Sequence, residues 1–90
     1  MAKKARATYE NADGHILPLE ATEDQVRDLE ALINDELSED HVDCANAVIY
    51  KQADGSYQIE WKGAGHHVSS IEILTRFQMM NVLRQFERSD

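Results

Sequence analysis

The chain has 90 residues, 42% of them hydrophobic, and a formal net charge of −8 at pH 7. This length suits one domain with one core, and the hydrophobic fraction is that of a folded protein. No apolar run approaches the ~20 residues of a transmembrane helix, and none follows the basic start as in a secretory signal. The single Cys44 excludes an internal disulfide and fits a reducing compartment, so we predict a cytoplasmic protein without a membrane partner.

The acidic residues are concentrated in one segment. Residues 1–19 have a net charge of +1, residues 20–43 a net charge of −9, and residues 44–90 a net charge of 0. An acidic segment repels the phosphates of nucleic acid and attracts basic protein surfaces. We therefore expect a basic protein partner and no direct binding of nucleic acid.

The chain is predicted to begin with a basic flexible tail at residues 1–8, followed by a single α+β domain at residues 9–88. ATYE and HILPL flank the turn NADG, in which Gly14 takes a positive φ, and together they predict a hairpin. Pro18 lacks a backbone N–H, so its strand should lie at a sheet edge.

A first helix is predicted over residues 22–37. Thr22 and Gln25 form a capping box at its start, and the apolar residues that follow occupy a narrow stripe of the helix. Acidic residues occupy the opposite side. Residues 38–44 are predicted to be a polar connection.

The second half begins with a clearer hairpin. NAVIYK and SYQIEWK flank a turn centred on Asp54 and Gly55, and the second run alternates apolar and polar residues. Ser69 and Glu72 match a second capping box, which predicts a helix that reaches Arg88 and is apolar on two sides. The predicted fold is α+β with the order ββαββα, an antiparallel sheet and two helices on one face.

The two halves also suggest an internal duplication. YENADG and YKQADG share a turn, and VRDLEALI at 26–33 aligns with VSSIEILT at 68–75. Each half would then be a ββα unit, over residues 9–37 and 46–88. The alternative is that two hairpin-helix units have converged on the same turn and capping residues.

The acidic segment supplies the main candidate site. Carboxylates that follow a helix at a rise of ~1.5 Å per residue are spaced on the scale of the phosphates of duplex DNA. They would fit a protein surface built for nucleic acid. The alternative is a solvated face that keeps a small protein soluble. The predicted contact row consists of Asp24, Asp28, Asp35, Glu36, Glu39 and Asp40.

A second candidate site is the loop WKGAGHH. It places Gly63, Gly65, His66 and His67 ahead of a predicted helix N-terminus, where free backbone N–H groups bind anions. The ligand would be a nucleotide or another small molecule that carries phosphate. The loop matches neither a dinucleotide-binding nor a Walker pattern, so no cofactor is predicted.

A third candidate is an apolar seam on the second helix for a homodimer or another protein, formed by Met79, Leu83 and Phe86. Zinc-ligand types occur near Asp40, His41 and Cys44, but without the spacing of a known metal motif, so no metal site is predicted. No catalytic arrangement is marked by spacing, and we predict that the protein is not an enzyme.

The segment GSYQIEWKGAGHH, followed by an amphipathic helix, resembles small accessory proteins that phages and prophages encode in their early regions. The resemblance covers residues 46–88, and its motif is a strand that ends in W-x-G before a helix. Such proteins bind and redirect or block a host factor, including nucleic-acid enzymes. The resemblance implies a host-interaction protein in a bacterial cytoplasm and assigns no role to a particular residue.

Overall fold

The computed structural model describes residues 4–62 and 68–87. These residues form six strands and two helices. In chain order they are the strands β1 (Lys4–Glu10) and β2 (Ile16–Thr22), the helix α1 (Glu23–Ile33), the strands β3 (His41–Asp43), β4 (Ala47–Lys51), β5 (Tyr57–Lys62) and β6 (Val68–Leu74), and the helix α2 (Arg76–Glu87).

The strands form two antiparallel sheets in the described residues. β1 and β2 make a two-stranded sheet, and the other four strands make a second sheet in the order β3-β4-β5-β6. The predicted α+β class is confirmed. The predicted ββαββα order and the predicted tail at residues 1–8 are wrong, because β3 and β6 are additional strands and β1 already begins at Lys4.

The two ADG turns have the same backbone structure. In each, the residue before the ADG sequence, Asn11 or Gln52, donates its N–H to the carbonyl four positions on, at 2.9 and 2.8 Å. Its carbonyl accepts from the glycine N–H, at 3.0 and 3.1 Å. Gly14 and Gly55 have φ values of 82° and 90°, a region in which side chains with a Cβ are strained. Both predicted hairpins are therefore confirmed.

Residues 68–74 form strand β6 and not the start of the predicted second helix. The helix is instead capped by Thr75, whose hydroxyl accepts from the Gln78 N–H at 3.1 Å. The Thr75 N–H donates in return to the Gln78 side chain at 2.9 Å. The pattern of Ser69 and Glu72 was misleading because residues 70–74 pair with β5, and this pairing supplies sheet hydrogen bonds that a local cap cannot supply.

The extra strand also limits the internal likeness. Residues 26–33 are helical, whereas most of the aligned segment, residues 68–74, is a strand. The predicted second ββα unit is therefore wrong in its element order. The two halves therefore resemble each other in the structure of their hairpin turns and not in the elements that follow.

The core lies among the two helices, the β1–β2 hairpin and one face of the four-stranded sheet. From here on, the hairpin means β1 and β2. Met79, Leu83 and Phe86 belong to this core, with exposures of 0%, 8% and 5%. The predicted partner seam is therefore wrong, because α2 packs against α1, β1 and β6 and buries these three side chains within the chain. The largest fully buried side chains are Tyr57, Leu19, Leu29, Leu32, Ile33, Ile49, Ile59, Leu74 and Met79.

Two side-chain amides hold the hairpin to the rest of the domain. Gln85 of α2 accepts from the Thr8 N–H at 2.9 Å and donates to the Thr8 carbonyl at 2.8 Å. Asn46, between β3 and β4, accepts from the Glu20 N–H at 2.9 Å and donates to the Pro18 carbonyl at 2.6 Å. Each amide thus forms, along one edge of the hairpin, hydrogen bonds of the kind that the backbone of a neighbouring strand would form. The predicted edge position of the Pro18 strand is confirmed.

Candidate acidic binding surface

The first helix begins as predicted but ends early. The Thr22 and Gln25 capping box is present, and α1 ends at Ile33 because Asp35 turns the backbone into the left-handed region, with a φ of 60°. This turn lets Leu37 pack against the core. The prediction of a single row of carboxylates along one helix is therefore wrong from Asp35 onward. The predicted contact residues from Asp35 to Asp40 lie in the turns that follow α1.

All nine carboxylates between residues 23 and 43 are exposed, and Arg27 is the one basic residue in this stretch. Their exposure follows from the amphipathic α1, which buries Leu29, Leu32 and Ile33 and leaves its acids outside. We call these nine residues the acidic band: Glu23, Asp24, Asp28, Glu30, Asp35, Glu36, Glu39, Asp40 and Asp43.

Part of the band is neutralised by ion pairs. The acids in these pairs keep side-chain exposures of 69% to 83%, so each pair contributes little to folding, about 0–1 kcal/mol. Glu23, Asp28, Glu30 and Glu36 form no ion pair with any described residue. The three pairs with lysine or arginine are Arg27 with Asp24 at 2.6 Å, Lys62 with Asp43 at 2.6 Å, and Lys51 with Asp35. Glu39 and Asp40 lie 4.0 and 3.2 Å from the ring nitrogens of His41.

A groove of about 530 Å³ lies at the end of α1. Lys51, which pairs with Asp35, also contributes to its wall. The walls of the groove combine apolar atoms with carboxylates and the Lys51 ammonium group. Its other principal side chains are the apolar Leu32, Leu37 and Ala53 and the carboxylates Asp35, Glu39 and Asp40.

The histidine beside this groove is not part of a metal site in the described residues. His41 Nδ1 lies 3.2 Å from Asp40 Oδ1, and its ring is 5.6 Å from that of Tyr50. No group of three or more metal-ligating side chains occurs in residues 4–62 and 68–87. The predicted anion loop of Gly63, Gly65, His66 and His67 lies outside the described residues.

Cys44 is buried beside the acidic band. Burial, with a smaller contribution from the Asp43 carboxylate, raises the pKa of the Cys44 thiol to about 12. A thiol that stays protonated is a poor nucleophile.

We expect native Cys44 to react slowly with a thiol reagent near neutral pH and to react rapidly after unfolding in urea. Because the unfolded thiol releases its proton at a lower pH, ~8.5, stability should fall as the pH rises from there toward 12. The Cys44→Ala variant should lose this part of the alkaline slope. Fast labelling of the folded protein would contradict the prediction.

The comparisons with known proteins assign no family. The chain matches no protein-family model, no curated protein and no solved structure. In the described part of the chain, neither helix is long and apolar enough to cross a membrane. The resemblance to phage-encoded accessory proteins stays a prediction, and the function must be inferred from the surface of this chain.

Sequence reasoning missed an apolar surface. Ile71, Ile73 and Phe77 are 53%, 58% and 69% exposed, and all three belong to the two apolar sides of the predicted helix. The signal was the alternation of Ser70, Ile71, Glu72 and Ile73, which has the period of a strand.

Proposed function

We propose that the protein is a small acidic binding protein that inhibits or modulates a protein whose natural ligand is nucleic acid. The observation that carries this proposal is the acidic band, nine exposed carboxylates within residues 23–43 with one base among them. The band would pair with the arginine and lysine residues of the target and displace DNA or RNA from them.

The position of the carboxylates supports occlusion over a purely solubilising role. Glu23, Asp24, Asp28 and Glu30 are held on a capped helix whose other side is fixed in the core. Carboxylates held in place before binding lose less freedom on binding than those of a disordered acidic tail. The groove at the end of α1 adds a place for one basic side chain of the target.

The charge distribution also supports fast association. Residues 44–90 have no net charge, so the field of the chain is directed from the band. A one-sided field steers an oppositely charged surface toward the band and weakens as salt is added. The association rate with the target should therefore fall with ionic strength more steeply than the dissociation rate rises.

A competition experiment on immobilised DNA tests the proposal. Proteins from a lysate of the source cell are bound to DNA-cellulose, and the purified protein is added to release those whose DNA site it occupies. We expect specific release by the wild type. The variant Asp28→Lys/Glu30→Lys should release the same proteins at least about tenfold less effectively, because it puts repulsive charges on the exposed side of α1.

The matched control is Glu10→Lys/Asp13→Lys, which changes the net charge equally at exposed positions of the first hairpin. It should release the target nearly as well as the wild type. An equal loss of release activity in both variants would mean that only the net charge of the protein matters. Unchanged release by the α1 variant would mean that the acidic band does not bind the target. Circular dichroism verifies that each variant is folded.

A further inference from the structure

β6 is an open edge of the four-stranded sheet. In the described part of the chain it pairs with β5 alone. Its seven residues, Val68–Leu74, include neither proline nor lysine, two residue types that commonly protect an edge strand from pairing. Their one charged residue is Glu72, which alternates with Ile71 and Ile73 and belongs to the other face of the sheet. The opposite edge, β3, has three residues. β6 therefore presents the longer row of backbone groups to which another strand can bind.

The outer face of β6 is apolar. Ile71 and Ile73 are more than half exposed, whereas their neighbours on β5 are the polar Glu60 and Gln58, which bond to each other at 2.8 Å. The polar outer face of the sheet thus ends in an apolar strip at its edge. A strand added to this edge would cover both isoleucines, because side chains on one face of adjacent strands pack together.

The sequence of β6 is complementary to itself. β6 is regular over residues 70–74, and its register with β5 shifts at Ser69. A twofold axis at Ile71 pairs two copies of this strand in antiparallel orientation. Ile71 then faces its own counterpart and has Ile73 of the second copy as a diagonal neighbour. This register also places Glu72 opposite Ser70, whereas an axis at Glu72 would bring two carboxylates face to face.

The distribution of charge favours the same edge. β3 and α1, which carry most of the acidic band, pack together at the other edge, three strand spacings or ~14 Å from β6. Pairing through β6 would keep the acidic bands of two copies at the two far ends of one sheet. Repulsion between two chains of charge −8 is then smaller than in a dimer through any surface near the band.

We propose that two copies of this chain associate through β6 and form a symmetric dimer with one continuous antiparallel sheet of eight strands. Backbone hydrogen bonds along β6 and the contact of Ile71 with its counterpart hold the two copies together. The dimer leaves both acidic bands exposed, and it does not depend on the function of the band.

Molar mass in solution tests the proposal. Light scattering and sedimentation over a dilution series should give twice the 10.2 kDa of one chain for the wild type. Ile71→Lys puts two like charges face to face across the axis, so we expect its dissociation constant to rise at least roughly thirtyfold. Ile16→Lys is the matched control, because Ile16 is 65% exposed and belongs to β2 of the other sheet, and this variant should stay dimeric.

Hydrogen exchange gives a second readout that needs no substitution. The β6 amides should exchange slowly in a concentrated sample and faster on dilution, while those of β4 stay constant. A monomeric wild type would overturn the proposal, and so would an Ile71→Lys variant that is folded and still dimeric. If a monomeric wild type binds a different protein and Ile71→Lys abolishes that complex, the edge belongs to that protein.

Discussion

Replacement of Leu83 by aspartate should leave most of the protein unfolded at room temperature. Leu83 is 8% exposed and lies on the core side of α2 with Met79 and Val82. The substitution removes a buried side chain, which alone costs about 2–5 kcal/mol, and adds a carboxylate without a partner. The sum is comparable with the whole stability of a small domain, ~5–15 kcal/mol.

Far-UV circular dichroism and urea unfolding measure this effect. Asn81→Asp is the matched control, because it introduces the same side chain on the exposed side of the same helix and should cost less than about 1 kcal/mol. A folded Leu83→Asp variant that had merely lost self-association would restore α2 as a partner seam. In contrast, Ile71→Lys should remain folded, since Ile71 is outside the core.

Asn46→Ala should lower the free energy of unfolding by about 2–3 kcal/mol and loosen the hairpin before the rest of the domain. The substitution removes two hydrogen bonds and leaves the Glu20 N–H and the Pro18 carbonyl without this partner. The hairpin would then be held by the hydrogen bond from the Ala45 N–H to the Glu20 carbonyl at 2.9 Å, by Gln85 on its other edge and by the apolar contacts of its inner face.

Urea unfolding gives the change in stability, and hydrogen exchange locates it. The amides of β1 and β2 should exchange faster in Asn46→Ala than those of β4 and β5. Asn81→Ala removes an asparagine side chain from an exposed position and serves as the control. Equal acceleration in both sheets would mean that Asn46 supports the whole domain and not the docking of the hairpin in particular.

Local chemistry explains the parts of the fold that the sequence predicted. The turn residues Gly14 and Gly55 and the capping pair Thr22 and Gln25 act within a few residues, and each forms in the structure as expected. The strands that flank the turns follow from the alternation of apolar and polar residues. The exposure of the acidic residues could be predicted as well, because unpaired carboxylates are costly to bury.

The errors occur where two local patterns compete. Residues 68–74 match both a capped helix and an alternating strand, and their pairing with β5 determines that they form a strand. Two patterns also compete at the end of α1. The helical spacing of apolar residues continues to Leu37, but Asp35 adopts a left-handed backbone conformation and redirects the chain. Leu37 still packs against the core, but from the segment that follows the helix.

The sequence by itself determined that this protein is a small α+β domain with two tight hairpins, a capped first helix and a strongly acidic segment. These properties depend on neighbours within a few positions and on the cost of burying charge. The tertiary structure decided that Met79, Leu83 and Phe86 form core and that Ile71 and Ile73 lie exposed on an edge strand. Burial depends on which elements pack together, and that arrangement arises from contacts between residues far apart in the chain.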